Sequence, residues 1–374
     1  MLKKFTVKNF KNFKNTLCID FTKVHDYKFN DFCVKDGLIS KMIVYGKNAE
    51  GKTNLGRALC DLQKSIFFVA PHFADMYRGQ QYKNADAAED ELVEFFYSFR
   101  FGDDTVDYEY RKKDENDTVY EKFSVNGRVL FFYDKQSGES DFGNVDEINA
   151  GDLNWEEFIE GSETEEEGIK PTALRYIIFN TVQNADSVIY KLSQFIRGMR
   201  FSNSVDPSRV SFLYSETDEN TEELRKFEKF LNDYGVNCKL VLIKQPDGSR
   251  EIFFDYARPL RFSGNLSSGT AALSRFYTQY LANKKPSFVY MDEFDAYYHY
   301  ELSEKIVELL EKEFDCQVIL TTHNTDLLSN SIMRPDCFWV LGSGVITPIC
   351  ELTNRELRQG HNLEKLYRNG EFNV

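Results

Sequence analysis

The sequence predicts an α/β protein built on a mixed sheet, with an antiparallel β-meander subdomain and an inserted helical region. Three observations carry that prediction. A short apolar strand at residues 42–45 runs into a glycine-rich loop and then into a helix. Residues 91–133 are rich in strand formers and broken by Gly102-Asp103-Asp104, Glu115-Asn116-Asp117 and Asn126-Gly127, the turn signals of a meander. From residue 268 onward, helix and strand alternate in the rhythm of a parallel sheet with crossover helices.

In chain order, short strands are expected at residues 2–7, 17–21 and 41–45, and a helix from Gly51 towards Val69. The meander comes next. Residues 134–170 are polar and acidic with Trp155 and Phe158 as their only strong apolar anchors, so a loop or short helices are expected there, not sheet. Helical periodicity returns at 172–199 and 221–234, then strands at 238–243 and 251–256. The closing alternation reads as helix 268–282, strand 287–292, helix 300–313, strand 317–321, helix 324–329 and strand 337–341. This divides the chain into an N-terminal lobe (1–133), an acidic and helical insertion (134–235) and a C-terminal lobe (236–374).

The 374 residues suffice for a sizeable core, and 42% apolar with 28% charged residues excludes a collagenous, mucin-like or largely disordered chain. The 33 phenylalanines are a surplus best placed in sheet cores. A net charge of −14 argues against nucleic-acid binding only if it is spread evenly. It is not: residues 134–167 hold 13 acidic residues against one basic, Lys135, leaving the other 340 residues at only −2. That segment is either a solvated loop or a surface that docks a basic partner. Seven scattered cysteines without a CxxC pair read as reduced thiols, and no apolar run reaches the length of a membrane span. A cytoplasmic protein without a membrane partner is expected.

Four motifs carry chemistry. Gly46-Lys47-Asn48-Ala49-Glu50-Gly51-Lys52-Thr53, followed by Asn54, is an unbroken G-x-x-x-x-G-K-[ST] run between a strand and a helix. The glycines let backbone N–H groups wrap a phosphate at the helix N-terminus, Lys52 neutralises the β- and γ-phosphates, and the Thr53 hydroxyl binds Mg²⁺. A chance Gly-Lys turn before a helix would lack this flanking context. Phe288-Val289-Tyr290-Met291-Asp292-Glu293 is an apolar strand ending in two carboxylates, Asp292 for the metal and Glu293 for the attacking water. Val318 to Asn324 is a second buried strand, ending in His323, on the edge of an α/β sheet where ligands bind. Ser267, Ser268 and Gly269 open a helix with hydroxyl and N–H donors, which an ordinary N-cap would also explain.

The order of these four motifs resembles that of ABC-type ATPases: Walker A, signature, Walker B and switch histidine. The branch it resembles is the RecF/SMC/OLD-like group of AAA-annotated prokaryotic ATPases. Phe5-Thr6-Val7-Lys8-Asn9-Phe10-Lys11-Asn12-Phe13 is similar to that group's first strand, Asp292-Glu293-Phe294-Asp295 to its extended Walker B, and Gly360 to Tyr367 to its closing motif. The resemblance implies an ABC-ATPase head that uses ATP and Mg²⁺. It implies a homodimer with ATP at the interface, where Ser267, Ser268 and Gly269 act in trans, and leaves further assembly open. Glu293 and His323 are then catalytic, and Asp295 lies where the family's interface loop begins. His299-Tyr300 departs from the His-Pro pair of many relatives, and the Q-loop glutamine has only Gln80 and Gln81 as candidates, by position.

Function then has three readings. One is the sensor or regulatory ATPase of an anti-phage, abortive-infection system similar to the PARIS, AbiL and Septu types, controlling a separately encoded toxin or nuclease. A second is a RecF-like repair ATPase with nucleic acid as partner, whose basic groove would have to come from the N-terminal lysines with Arg175, Arg197, Arg200, Arg258 and Arg261. The third, a transporter subunit, fits the meander and the distant signature poorly. The first is preferred, on family analogy.

Overall fold

A computed structural model describes residues 1–67, 81–163, 171–203, 220–281 and 286–372. Its centre is a six-stranded sheet in the order β11 (Met199–Asn203), β15 (Phe288–Asp292), β16 (Gln317–Thr321), β5 (Lys41–Tyr45), β17 (Phe338–Gly342) and β18 (Val345–Pro348). The strands are parallel except for β18 at the edge. Every residue of β5, β15, β16 and β17 is buried, as befits parallel strands covered on both faces, and this is why their sequences are near-continuous apolar runs. The sheet is not a product of the second half alone. β5 is inserted between β16 and β17, so the loop after it emerges beside the strand that delivers His323.

The second sheet is seven-stranded and antiparallel, ordered β10 (Glu139–Asp141), β9 (Arg128–Asp134), β8 (Thr118–Val125), β7 (Asp104–Lys112), β6 (Val93–Phe101), β1 (Leu2–Lys8) and β2 (Leu17–Asp20). Alternating burial along β7 shows that one face is covered. Part of the aromatic surplus lies there: Phe5 on Tyr97, Phe95 on Tyr110 (both 4.9 Å between centroids) and Phe123 on Phe131 (5.5 Å). Gln317 of β16 bolts the two sheets together. Its buried amide accepts from Leu2 N (2.6 Å) and donates to the carbonyls of Leu2 (2.8 Å) and Ile39 (3.2 Å).

Three expectations change. The helix from Gly51 is two helices, α1 (Lys52–Leu59) and α2 (Asp61–Phe67); residues 68 and 69, at the expected end, lie outside the described residues. The break frees the Ala58 carbonyl for the Tyr97 hydroxyl (2.8 Å) and turns Asp61 inward, where Lys112, Tyr110 and Tyr82 all donate to its carboxylate at 2.9–3.0 Å. A buried acid satisfied from three sides outweighs helix continuation.

The acidic segment, as far as residue 163, holds the short helix expected of it but also a strand that was not. β10 extends the meander, and α3 (Trp155–Glu163) folds back so that Trp155 stacks on Phe142 (4.0 Å) and Phe158 meets Tyr133 and Tyr176. Finally, the helix expected at 324–329 is one 3-10 turn (Thr325–Leu327): the Asn324 side chain caps its start by accepting from Asp326 N, and Leu328, at ψ 72°, leaves the helical region and ends it.

The helical insertion comprises α4 (Ala173–Asn180), α5 (Val188–Gly198) and α6 (Asn220–Asp233). A three-stranded sheet, β12 (Leu240–Lys244), β13 (Arg250–Phe254) and β14 (Leu260–Arg261), leads into α7 (Ser268–Phe276), which ends in a π turn where Thr278 Oγ1 donates back to Ser274 O. All seven cysteines are free. No helix among the described residues is long and apolar enough to cross a membrane.

Candidate nucleotide site

The loop from Gly46 to Thr53 is shaped by backbone demands. Gly51 caps α1 at φ 101°, a conformation natural to glycine, and a Cβ there would lie 2.3 Å from the Asn12 amide. At Gly46 a Cβ would lie 2.7 Å from Leu341 O. Ala49 also takes a left-handed φ of 68°. Two braces hold the crest of the loop: Asn12 Nδ2 donates to Glu50 O (2.9 Å), and the Glu50 carboxylate accepts from Ser343 N (2.8 Å). Asn54 Nδ2 completes the first by donating to Asn12 Oδ1 (2.7 Å).

Lys52 is buried, and its ammonium donates to Gly46 O (2.9 Å), to Lys47 O (3.2 Å) and to His323 Nε2 (2.9 Å). Burial lowers the Lys52 pKa, with the carboxylates of Asp292, Glu293 and Glu50 acting the other way. Burial, and then the Lys52 charge, lower the His323 pKa. The imidazole is therefore neutral, and Nε2 is free to accept from the ammonium.

On the other side Thr53 Oγ1 donates to Asp292 Oδ2 (2.6 Å) and Thr321 Oγ1 donates to Asp292 Oδ1 (2.8 Å). Burial raises the Asp292 pKa against those two hydrogen bonds. The next residue, Glu293, sits at φ 48°, its N–H bound to Thr321 Oγ1 (2.8 Å) and its carboxylate 3.8 Å from His323 Nε2. Asp295 accepts from Thr322 Oγ1 (2.7 Å). β16 lies between β15 and β5, so the C-terminal ends of the three strands bring together two hydrogen-bonded groups, Lys52 with His323 and Thr53 with Asp292, Thr321 and the Glu293 N–H, which approach each other where the Glu293 carboxylate comes within 3.8 Å of His323.

Ser267, Ser268 and Gly269 are not bonded into that cluster by the contacts they make. Ser267 caps α7 by accepting from Thr270 N (3.1 Å), Ser268 is exposed, and Gly269 approaches Tyr297 O. Of the glutamine candidates, Gln80 lies outside the described residues and Gln81 is exposed, its carbonyl accepting from Lys11. His299, the departure from the His-Pro pair, caps α8 (Tyr300–Glu313) through Nδ1. Sequence reasoning gave no role to Asn12, Thr321 or Thr322. The two threonines directly precede His323 and could have been read as partners for the carboxylates one strand away. Asn12 is joined to the loop across 38 residues of chain, which no local pattern reports.

The donor set fits a nucleotide and its metal. Thr53 Oγ1 and Asp292 Oδ2 are adjacent hard oxygens, the kind Mg²⁺ takes, and the loop crest has no room for a side chain at Gly46 or Gly51. The class this chain falls in is that of AAA-domain proteins. Residues 41–329, well over half of the chain, match the family described as "AAA domain, putative AbiEii toxin, Type IV TA system", and the chain belongs to that family.

No curated protein matches the chain. Among solved structures it is similar to an Smc head bound to the C-winged helix domain of ScpA (15% identity, 93% of this chain and 97% of that chain covered, TM-score 0.46). It is also similar to the SMC head domain from Thermotoga maritima (15% identity, 93% and 98% covered, TM-score 0.42). A third is the Smc head domain with an extended coiled coil bound to the C-terminal domain of ScpA derived from Pyrococcus furiosus (13% identity, 92% and 95% covered, TM-score 0.44).

Proposed function

We propose that this protein binds and hydrolyses ATP with Mg²⁺ between two copies of itself in the cytoplasm. We further propose that it is the sensor or regulatory subunit of an anti-phage, abortive-infection system that controls a separately encoded toxin or nuclease. The ATPase half rests on one observation, the unbroken contact line from Lys52 through His323 to Glu293 beside the Thr53–Asp292–Thr321 bonds. In this reading the loop amides and the buried Lys52 cation hold the β- and γ-phosphates. Thr53 and Asp292 hold the metal, which when bound polarises the phosphoryl oxygens. Glu293 orients the attacking water and takes its proton, and neutral His323 keeps a nitrogen beside the γ-phosphate position. Ser267, Ser268 and Gly269 complete the site of the other copy.

The defence half is supported by the family description, which names a toxin and a toxin–antitoxin system. The competing reading, a RecF-like DNA clamp, needs free basic side chains. Six of the ten candidates are engaged: Lys8 with Glu94, Lys11 with Gln81 O, Lys14 with Glu91, Arg261 with Glu251, Arg175 with Ile66 O, and Arg200 with Met199 O. Calorimetry of Lys52→Ala tests the ATPase half: ATP affinity should fall by about 10²-fold or more, since a buried phosphate-binding cation is removed. Wild-type affinity in that variant would end the reading. Mass spectrometry of the native protein after copurification separates the two partners, a bound effector protein supporting defence and bound duplex DNA the repair reading.

A further inference from the structure

Strand β16 delivers His323 to the site, but the strand stops at Thr321, and the imidazole depends on how the chain continues from there. Beyond the histidine the chain makes only one 3-10 turn, with Leu327 and Leu328 tucked into the core. The far end of this stretch is held by the C-terminal segment. Asn330 is buried, and its Nδ2 donates towards three carbonyls of that segment, Arg358 O (3.0 Å), Gln359 O (3.2 Å) and His361 O (3.1 Å).

The next element, α9 (Leu363–Arg368), lies over the turn itself. Arg368 donates to Thr325 Oγ1 (3.2 Å) and reaches the Asp326 carboxylate (3.5 Å). One residue earlier, the Tyr367 ring lies 5.8 Å from that of Tyr45, the residue directly before Gly46. Leu363 and Phe372 are buried and anchor the segment, and the Thr353 hydroxyl donates to the Glu371 carboxylate (2.6 Å) to close it on itself. The same short stretch thus touches the foot of the phosphate loop and both the turn and the far end of the segment that carries His323.

We infer that residues 356–372 form a clasp that positions His323 against Lys52, with Asn330 and Arg368 as its positioning residues. Neither touches the candidate nucleotide site. They act through the 322–330 segment, whose near end is fixed independently by Thr322, which donates to Asp295 and accepts from Asn324 N (2.8 Å). Releasing the turn or the far end leaves the phosphate loop, Thr53 and Asp292 in place and loosens only the histidine. The inference rests on the ATPase reading for its catalytic consequence and not for its structural one.

The test uses the full chain with Arg368→Ala, Arg368→Lys and Asn330→Ala. Arg368 is largely exposed, so its variants should fold even if Asn330→Ala does not. In the nucleotide-free protein, amide deuterium exchange over residues 322–330 should quicken in Arg368→Ala while residues 46–54 stay as in the wild type. In steady-state ATPase assays its kcat should fall about fivefold, the equivalent of one or two hydrogen bonds, with KM within about twofold of wild type. Arg368→Lys should recover most of that loss.

Unchanged exchange at 322–330, an unchanged kcat, or a joint loss of kcat, KM and thermal stability would each overturn the clasp. A wild-type chain that hydrolyses no ATP would overturn the ATPase reading instead, and the exchange measurement would still decide whether the clasp exists.

Discussion

Glu293 occupies the left-handed region at φ 48°, a placement that costs a residue with a Cβ about 1–2 kcal/mol. The strain is held by its N–H bond to Thr321 Oγ1 and by the burial of Asp292 before it. The strain has a geometric result. An extended Glu293 would continue the strand, whereas the left-handed turn leaves its carboxylate within 3.8 Å of His323 Nε2. On the proposed mechanism, Glu293→Gln keeps the shape and loses the base. ATP should still bind with wild-type affinity, turnover should fall by about 10²-fold or more, and the dimer should accumulate in sizing columns with ATP present. Hydrolysis at the wild-type rate would remove Glu293 from the role of base.

At the scale of elements, a buried acid ties α4 to the meander. The Glu121 carboxylate on β8 accepts from Ala173 N (2.7 Å) and Leu174 N (3.3 Å) at the helix N-terminus, and from the Tyr108 hydroxyl (2.7 Å). Burial nevertheless pushes its pKa up to about 7 from an ordinary 4.5, outweighing those bonds. Between these values the folded chain holds a proton that the unfolded chain has lost. Stability from this group is therefore full below pH 4.5 and declines as pH rises through about 7, by about 3 kcal/mol in all. Glu121→Gln cannot titrate, so the stability difference between wild type and variant in urea unfolding should shift by about that amount between pH 4.5 and 8. A constant difference across that range would refute the assignment. Such an element-level link was not legible in the sequence. The phosphate loop was, because its glycines answer local backbone demands, and so were β15 and β16, because strands buried on both faces spell apolar runs. Asn12, Gln317 and Glu121 act across tens to hundreds of residues, and their neighbours give no sign of it.

Across the whole molecule, the site is built from strand ends of one sheet, yet the helix opened by Ser267 presents its N-terminus through exposed serines and makes its own contacts elsewhere. Exposed donors at a helix start suit an anion that another copy brings. If the two copies pair head to tail, each carries one loop and one signature, and each of two sites draws on both chains. Lys52→Ala destroys the loop of its chain, and Gly269→Asp spoils the signature by adding charge and bulk where even a Cβ would lie 3.2 Å from Tyr297 O. Each variant alone should be inactive. Mixed in equal amounts, half the dimers are hybrids, and each hybrid has one doubly damaged site and one intact site. ATPase activity should therefore return to about a quarter of the wild-type rate if the sites work independently. A mixture as inactive as its components would mean that each chain uses its own signature, and the trans arrangement would fall; activity in Gly269→Asp alone would remove the signature from the site.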